Sequence, residues 1–191
     1  MKIRILCLVA VAACSTSPAS TGGMPPIATS SAPASRAANG PLVILVRHAE
    51  KADDSPTDPT LSAAGEARAR ALADALRDAG VTHVITTQFR RTGLTAAPLA
   101  RQLGLTPEVV PTQGAGAHDS LVAAAVRRRG PREVVLVVGH SNSVPSYIAA
   151  LGGPRMPQIC DAQYGNLFVL SLAGTTPRLV RASFGAPDPP C

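Results

Sequence analysis

Two runs in this chain are apolar at every position, Leu42-Val43-Ile44-Leu45-Val46 and Val134-Val135-Leu136-Val137-Val138. A strand with one wet face alternates polar and apolar residues, whereas a strand covered on both faces does not. Both runs therefore predict strands inside a parallel sheet with helices on each side. Each run ends in a polar loop that opens on a histidine, Arg47-His48-Ala49-Glu50 after the first and Gly139-His140-Ser141-Asn142 after the second. Parallel strands gather their carboxyl ends along one edge, and ligands bind there. Two imidazoles and a guanidinium are thus expected across a single pocket.

Between these runs the pattern changes period. A helix is expected over about 62–79, with Ala67, Ala71, Leu72, Ala75, Leu76 and Ala79 as its apolar stripe. Arg68, Arg70, Asp74, Arg77 and Asp78 then fall on its wet side, and Gly80 stops it. A strand over 82–86 follows, then a helix over about 91–103 that contains Pro98 and stops at Gly104. A short strand at 107–110 precedes the glycine-rich stretch 113–117, which reads as a mobile loop. Asp119 reads as the cap of a helix running to about Arg129. After the strand at 133–138 come a helix over 144–151 and a strand pair at 166–172 and 178–182. Strands separated by helices predict a three-layer α/β/α sandwich with a mostly parallel central sheet. No internal repeat is present.

The N-terminus has a different composition. A basic start, Met1-Lys2-Ile3-Arg4, precedes an apolar run from Ile5 to Ala13. That run is shorter than the roughly 20 residues a membrane-spanning helix needs, and it has the form of a secretory signal. Val11-Ala12-Ala13-Cys14 resembles a bacterial lipoprotein processing site, which would make Cys14 the acylated first residue. The alternative is an ordinary signal cut nearby. The expected organisation is a signal over 1–13, a disordered Ser/Pro/Ala-rich tether over 14–40 and one domain over 41–191. The product would be exported, facing the periplasm or cell exterior, and would touch membrane only through a lipid on Cys14.

The net charge of +6 weakens when divided on these lines. Lys2, Arg4 and Arg36 precede residue 41, so the domain keeps 15 basic and 12 acidic side chains. The run Arg127-Arg128-Arg129 sits at an expected helix C-terminus, where cations favour the helix dipole. Without aromatic-basic interleaving, nucleic-acid binding is not supported. Cys160 and Cys191 are left once the signal has taken Cys7 and lipidation Cys14. In an exported protein such a pair favours a disulfide, which would pin the Pro-rich tail to the domain.

A histidine among guanidinium groups resists protonation and keeps a nucleophilic lone pair. Arginine forks match phosphoryl oxygens bidentately and stabilise the charge that spreads over them during transfer. Four ordered segments turn this chemistry into a resemblance. Arg47-His48-Ala49-Glu50 resembles the Arg-His-Gly signature of the histidine phosphatase superfamily (branch 1), with its phosphoglycerate-mutase-like fold. Leu61-Ser62-Ala63-Ala64-Gly65-Glu66-Ala67-Arg68-Ala69 is similar to the family's Leu-Thr-x-x-Gly-x-x-Arg-Ala segment. Thr86-Thr87-Gln88-Phe89-Arg90-Arg91-Thr92-Gly93-Leu94-Thr95-Ala96 resembles its third segment, in a register that selects Arg91 over Arg90. Gly139-His140-Ser141-Asn142 resembles the second histidine motif. The resemblance implies a phosphomonoesterase in which His48 takes the phosphoryl group while Arg47, Arg91 and His140 hold its oxygens. It implies no metal and no other cofactor.

Two features depart from the pattern. Ala49 stands where the family has glycine. The leaving-group acid is also undetermined, since Asp119 reads first as a helix cap, and Glu50, Asp53 and Asp54 in the first loop are the other candidates. His83 is expected to be structural or exposed, His118 to lie in a loop, and Lys51 to be solvated near the pocket. The substrate would be a small phosphorylated compound or a phosphopeptide. The competing readings are an idle phosphate-binding module of the cell envelope and a phosphoglycerate mutase. The mutase suits an exported chain of this size poorly.

Overall fold

The uninterrupted apolar runs become the two central strands of one sheet. The computed structural model describes residues 40–191. The expected signal, Cys14 and the tether up to residue 39 lie outside the described residues. Ten elements follow in the order β1 (Leu42–Arg47), α1 (Ala63–Leu76), β2 (His83–Thr86), α2 (Arg90–Leu103), β3 (Glu108–Val109), α3 (Ala115–Arg127), β4 (Val134–Gly139), α4 (Ser143–Ala150), β5 (Asn166–Ser171) and β6 (Arg178–Ser183). The sheet order is β3-β2-β4-β1-β5-β6. β3, β2, β4 and β1 are mutually parallel, while β5 and β6 add an antiparallel edge.

Strand periodicity sorts the core into two halves. Val43, Leu45, Val135 and Val137 pack against Val122 and Val126 of α3 and Val144, Tyr147 and Ile148 of α4. Ile44, Val46, Leu136 and Val138 pack on the other face against Leu72 and Leu76 of α1 and Ala96 and Leu99 of α2. Alternate residues of one apolar run thus face opposite helix layers, which is why neither run alternates. The fold is the expected three-layer sandwich.

Local expectations fail in two helices. In α1 the Ser62 hydroxyl accepts from Gly65 N at 3.1 Å, a regular N-cap. The helix ends at Leu76 rather than Ala79, and Gly80 follows with φ +68°. Its buried residues are Gly65, Arg68, Ala69, Leu72, Ala73 and Leu76. Ala67 and Ala75 of the expected stripe are exposed, whereas Arg68, assigned to the wet side, is buried. In α3 the N-cap is Gly114, so residues 115–117 form the first turn instead of a loop, and Asp119 lies inside the helix. Asp119 is therefore not a cap.

The tail is fastened to the domain. A disulfide joins Cys160 and Cys191, with Cα atoms 6.2 Å apart. Arg128 and Arg129, beyond the end of α3, both pair with Glu108 of β3, at 2.7 and 2.6 Å.

Candidate active site

Register brings the two histidine motifs together. Arg47 stands opposite Gly139 across the parallel β1–β4 ladder, and His48 N donates to Gly139 O at 2.9 Å. His48 and His140 leave neighbouring strands at the same level, with ring centroids 5.3 Å apart in an edge-on arrangement. Gly139 is needed for this. A Cβ there would lie 2.7 Å from the Tyr147 ring and 2.9 Å from Ser143 Oγ, the atom that caps His140 N.

One hydrogen bond determines the tautomer of His48. Its Nδ1 lies 2.8 Å from the carbonyl oxygen of Ala49. A carbonyl only accepts, so Nδ1 carries the proton, and the neutral ring keeps its lone pair on Nε2. Burial is the first cause that drives the His48 pKa down to about 3, and His140, Arg47 and Arg91 depress it further against the opposing pull of the Ala49 carbonyl. His140 falls to about 4, again through burial first and then through Arg91, His118 and Arg47. The like-charge argument made from sequence is right in direction, but desolvation is the larger cause. His140 Nε2 also shares a hydrogen bond of 3.2 Å with Thr87 Oγ1 at the end of β2.

The two arginines are held differently. Arg47 is buried, and its Nη1 donates to three backbone carbonyls, Cys160 and Asp161 at 3.0 Å and Gln163 at 2.9 Å. Its guanidinium lies 4.1 Å from the centre of the Tyr164 ring. Its Nη2 lies 3.6 Å from the exposed carboxylate of Asp161, and its Nε is buried without a partner. The Nη1 side is thus consumed by the protein, and the Nε–Nη2 edge is the fork left for an anion. Arg91, in the first turn of α2, stacks 4.3 Å from the Phe89 ring and approaches Asp58 at 3.7 Å. Its Nε is likewise buried and unpartnered. Burial lowers its pKa, and Asp58 opposes the shift. Buried polar groups ordinarily have partners, so two orphaned guanidinium nitrogens beside a neutral imidazole suit an incoming oxyanion.

These residues line one open cavity of about 420 Å³, with Arg47, His48, Arg91 and His140 joined by Lys51 and Asn142. Arg90 does not line it. An adjoining cavity of about 300 Å³ shares His140 and Asn142 and adds Gln113, His118, Asp119 and Ser146. Asp119 is half-buried there, and burial raises its pKa. The first-loop acids are occupied or remote. Glu50 is held by Arg68 at 2.9 Å and 3.0 Å, and Asp54 accepts both hydrogen bonds from Thr60. Asp53 is exposed and does not line the cavity. His118 is not in a loop. It is buried in α3, with Nδ1 donating to Pro111 O at 3.1 Å and Nε2 2.6 Å from the Tyr147 hydroxyl. His83 sits on β2 beside Glu133, away from the site. Ala49 is fully buried and packs with Leu61 and Ala69, so its methyl group is part of the core.

Sequence reasoning missed Tyr164, Phe89, Thr87, Asp58 and the three carbonyls on Arg47. The aromatic pair was detectable only as two rings in a chain with few. The carbonyls leave no signal in residue type.

Comparison with known proteins bears on the family and the fold. Residues 43–112 match the model of the histidine phosphatase superfamily (branch 1), a stretch that includes His48 and Arg91 but not His140. No curated protein matches the chain. Among solved structures, the protein histidine phosphatase SixA complexed with tungstate aligns with TM-score 0.60 and 21% identity, over 74% of this chain and 96% of that one. A mycobacterial hydrolase aligns at 0.56 and 17%, over 73% and 96%. A mycobacterial glucosyl-3-phosphoglycerate phosphatase aligns at 0.55 and 18%, over 73% and 97%. At such identities the structures speak for the fold alone, and the similarity to the histidine phosphatase superfamily (branch 1) rests on the match over residues 43–112.

Proposed function

We propose that this protein is a phosphomonoesterase that works through a phosphohistidine on His48. The observation that carries the reading is the state of His48, a neutral ring with its lone pair on Nε2, set between two arginines with unpartnered Nε atoms. In the first step Nε2 attacks phosphorus. The N–P bond forms, the ester P–O bond breaks, and Asp119 gives its proton to the departing alkoxide. Arg47, Arg91 and His140 hold the equatorial oxygens, where charge accumulates. Water then attacks phosphorus and yields its proton to the Asp119 carboxylate. The N–P bond breaks, and inorganic phosphate leaves. The arginines supply the positive charge, so turnover should persist in chelator.

The assignment of Asp119 rests on its place beside His140 and its raised pKa, which suits an acid that must arrive protonated. The substrate class is a small phosphomonoester or a phosphorylated protein segment reaching an open cavity. SixA is a protein histidine phosphatase, and the mycobacterial protein of similar fold is a glucosyl-3-phosphoglycerate phosphatase. The disulfide supports an exported protein, because such bonds persist in oxidising compartments. The test is hydrolysis of p-nitrophenyl phosphate by wild type and by His48→Ala. Wild type should turn over, and the variant should lose at least about a thousandfold. A His48→Ala enzyme as active as wild type would remove the reading.

A further inference from the structure

We propose that the Cys160–Cys191 disulfide, together with Asp188, is a positioning device for Arg47. It holds the 160–165 segment against the guanidinium so that the Nε–Nη2 edge stays turned to the phosphoryl group. The inference rests on the phosphatase reading for its catalytic consequence and on geometry for the rest.

Residues 153–165 form neither helix nor strand, and neither do residues 184–191. Neither segment has a ladder of its own to fix it, so each depends on specific ties. Three carbonyl contacts to Arg47 Nη1 come from the first segment, at Cys160, Asp161 and Gln163. Tyr164, which stacks on the same guanidinium, belongs to it too. The second segment is the fastener. Asp188 accepts from Tyr164 N at 3.0 Å and Gly165 N at 2.8 Å. Asp188 is itself held by buried Arg68 at 3.3 Å, and Arg68 also binds the carbonyls of Phe184 and Ala186. The disulfide closes the other end. Cys160 thus has two roles in one residue, since its sulfur is bonded to the tail and its carbonyl to Arg47.

A charge-assisted hydrogen bond is directional. If the Cys160 end of the segment drifts, the guanidinium follows its acceptors, and displacement of about an ångström is enough to weaken catalysis markedly. Cys191 is exposed, so a reductant can reach the bond.

The experiment is a double-mutant cycle between the cysteine pair and Arg47, read as kcat/KM on p-nitrophenyl phosphate and as affinity for inorganic phosphate by calorimetry. Cys160→Ser/Cys191→Ser should lower kcat/KM about tenfold and weaken phosphate binding similarly. In an Arg47→Ala background the same cysteine changes should cost nothing further, because the group they position is gone. Equal losses in both backgrounds, or no loss in either, would overturn the proposal. Should the double variant not fold, dithiothreitol on folded wild type replaces it. A loss that returns on reoxidation is expected, and full activity with both thiols titrated would overturn the proposal. If wild type hydrolyses no ester but reduction still weakens its phosphate binding, the function falls and the positioning role stands.

Discussion

Arg47 and Arg68 are both buried, at 4% and 6% exposure, and both stand beside motif residues, yet their surroundings differ. Arg68 is fully answered by the protein. It meets Glu50 and Asp188, both largely buried, and two carbonyls. Arg47 is answered on one side only, by carbonyls on Nη1, and among the described residues its one carboxylate neighbour, Asp161, is 85% exposed and 3.6 Å away. A buried cation neutralised by its own fold is a structural joint. One that keeps an unpartnered edge and most of its charge is prepared for an anion from outside. Burial and residue type do not separate the two cases, whereas the inventory of partners does.

The comparison can be broken by removing each arginine in turn. Arg47→Ala should lower kcat/KM by roughly a thousandfold, the scale of losing a fixed transition-state cation, with a smaller loss of stability in urea, about 1 kcal/mol, from the carbonyls it leaves unpaired. Arg68→Ala should do the reverse. It leaves Glu50 and Asp188 without their cation, and the loss should be about 3 kcal/mol of stability in urea titration, with kcat/KM of the folded fraction falling only about tenfold, the scale of a loosened clamp on Arg47. If Arg68→Ala proved inactive but stable, the contrast would be wrong.

Asp119 gives a sharper and smaller effect. A group that protonates the leaving oxygen matters in proportion to that oxygen's basicity. Asp119→Asn should reduce kcat/KM for an alkyl phosphate by about 10² and leave kcat/KM for p-nitrophenyl phosphate nearly unaffected, because the water step that Asp119 also serves comes after P–O cleavage and does not enter kcat/KM. Equal losses on both substrates would show a structural role.

The smallest effect is on stability against pH. His48 and His140 have folded pKa values near 3 and 4, below the ordinary 6.5. As pH falls through 6.5 the unfolded chain takes up protons that the folded chain refuses. The contribution of these rings is therefore complete above about pH 6.5 and is lost down to their folded values. Stability measured in urea between pH 6.5 and pH 4 should fall less steeply in His48→Gln than in wild type. An unchanged slope would mean that the ring protonates freely in the fold.

The β1 and β4 runs and the histidines at their ends were legible because a doubly buried strand has a recognisable composition, whereas the β1–β4 register was not, since a run apolar at every position pairs equally well one residue out of step. Arg91 was legible only through the motif register, since Arg90 is chemically identical and faces elsewhere. Arg68 was misread because helical periodicity takes an arginine for a wet position, and its partners Glu50 and Asp188 are distant in sequence. Asp119 was misread because the glycines at 114 and 116 suggest a loop, while the chain starts α3 at Ala115. The clamp on Arg47 is built of backbone carbonyls, which any sequence supplies.

The most direct test is to trap the intermediate. Wild type mixed with a ³²P-labelled phosphomonoester and quenched within milliseconds in alkali should carry a base-stable, acid-labile label. Peptide mapping should find it on His48 alone, and His48→Ala should carry none. A label on another residue, or hydrolysis under the same quench with no labelled protein at all, would contradict the account.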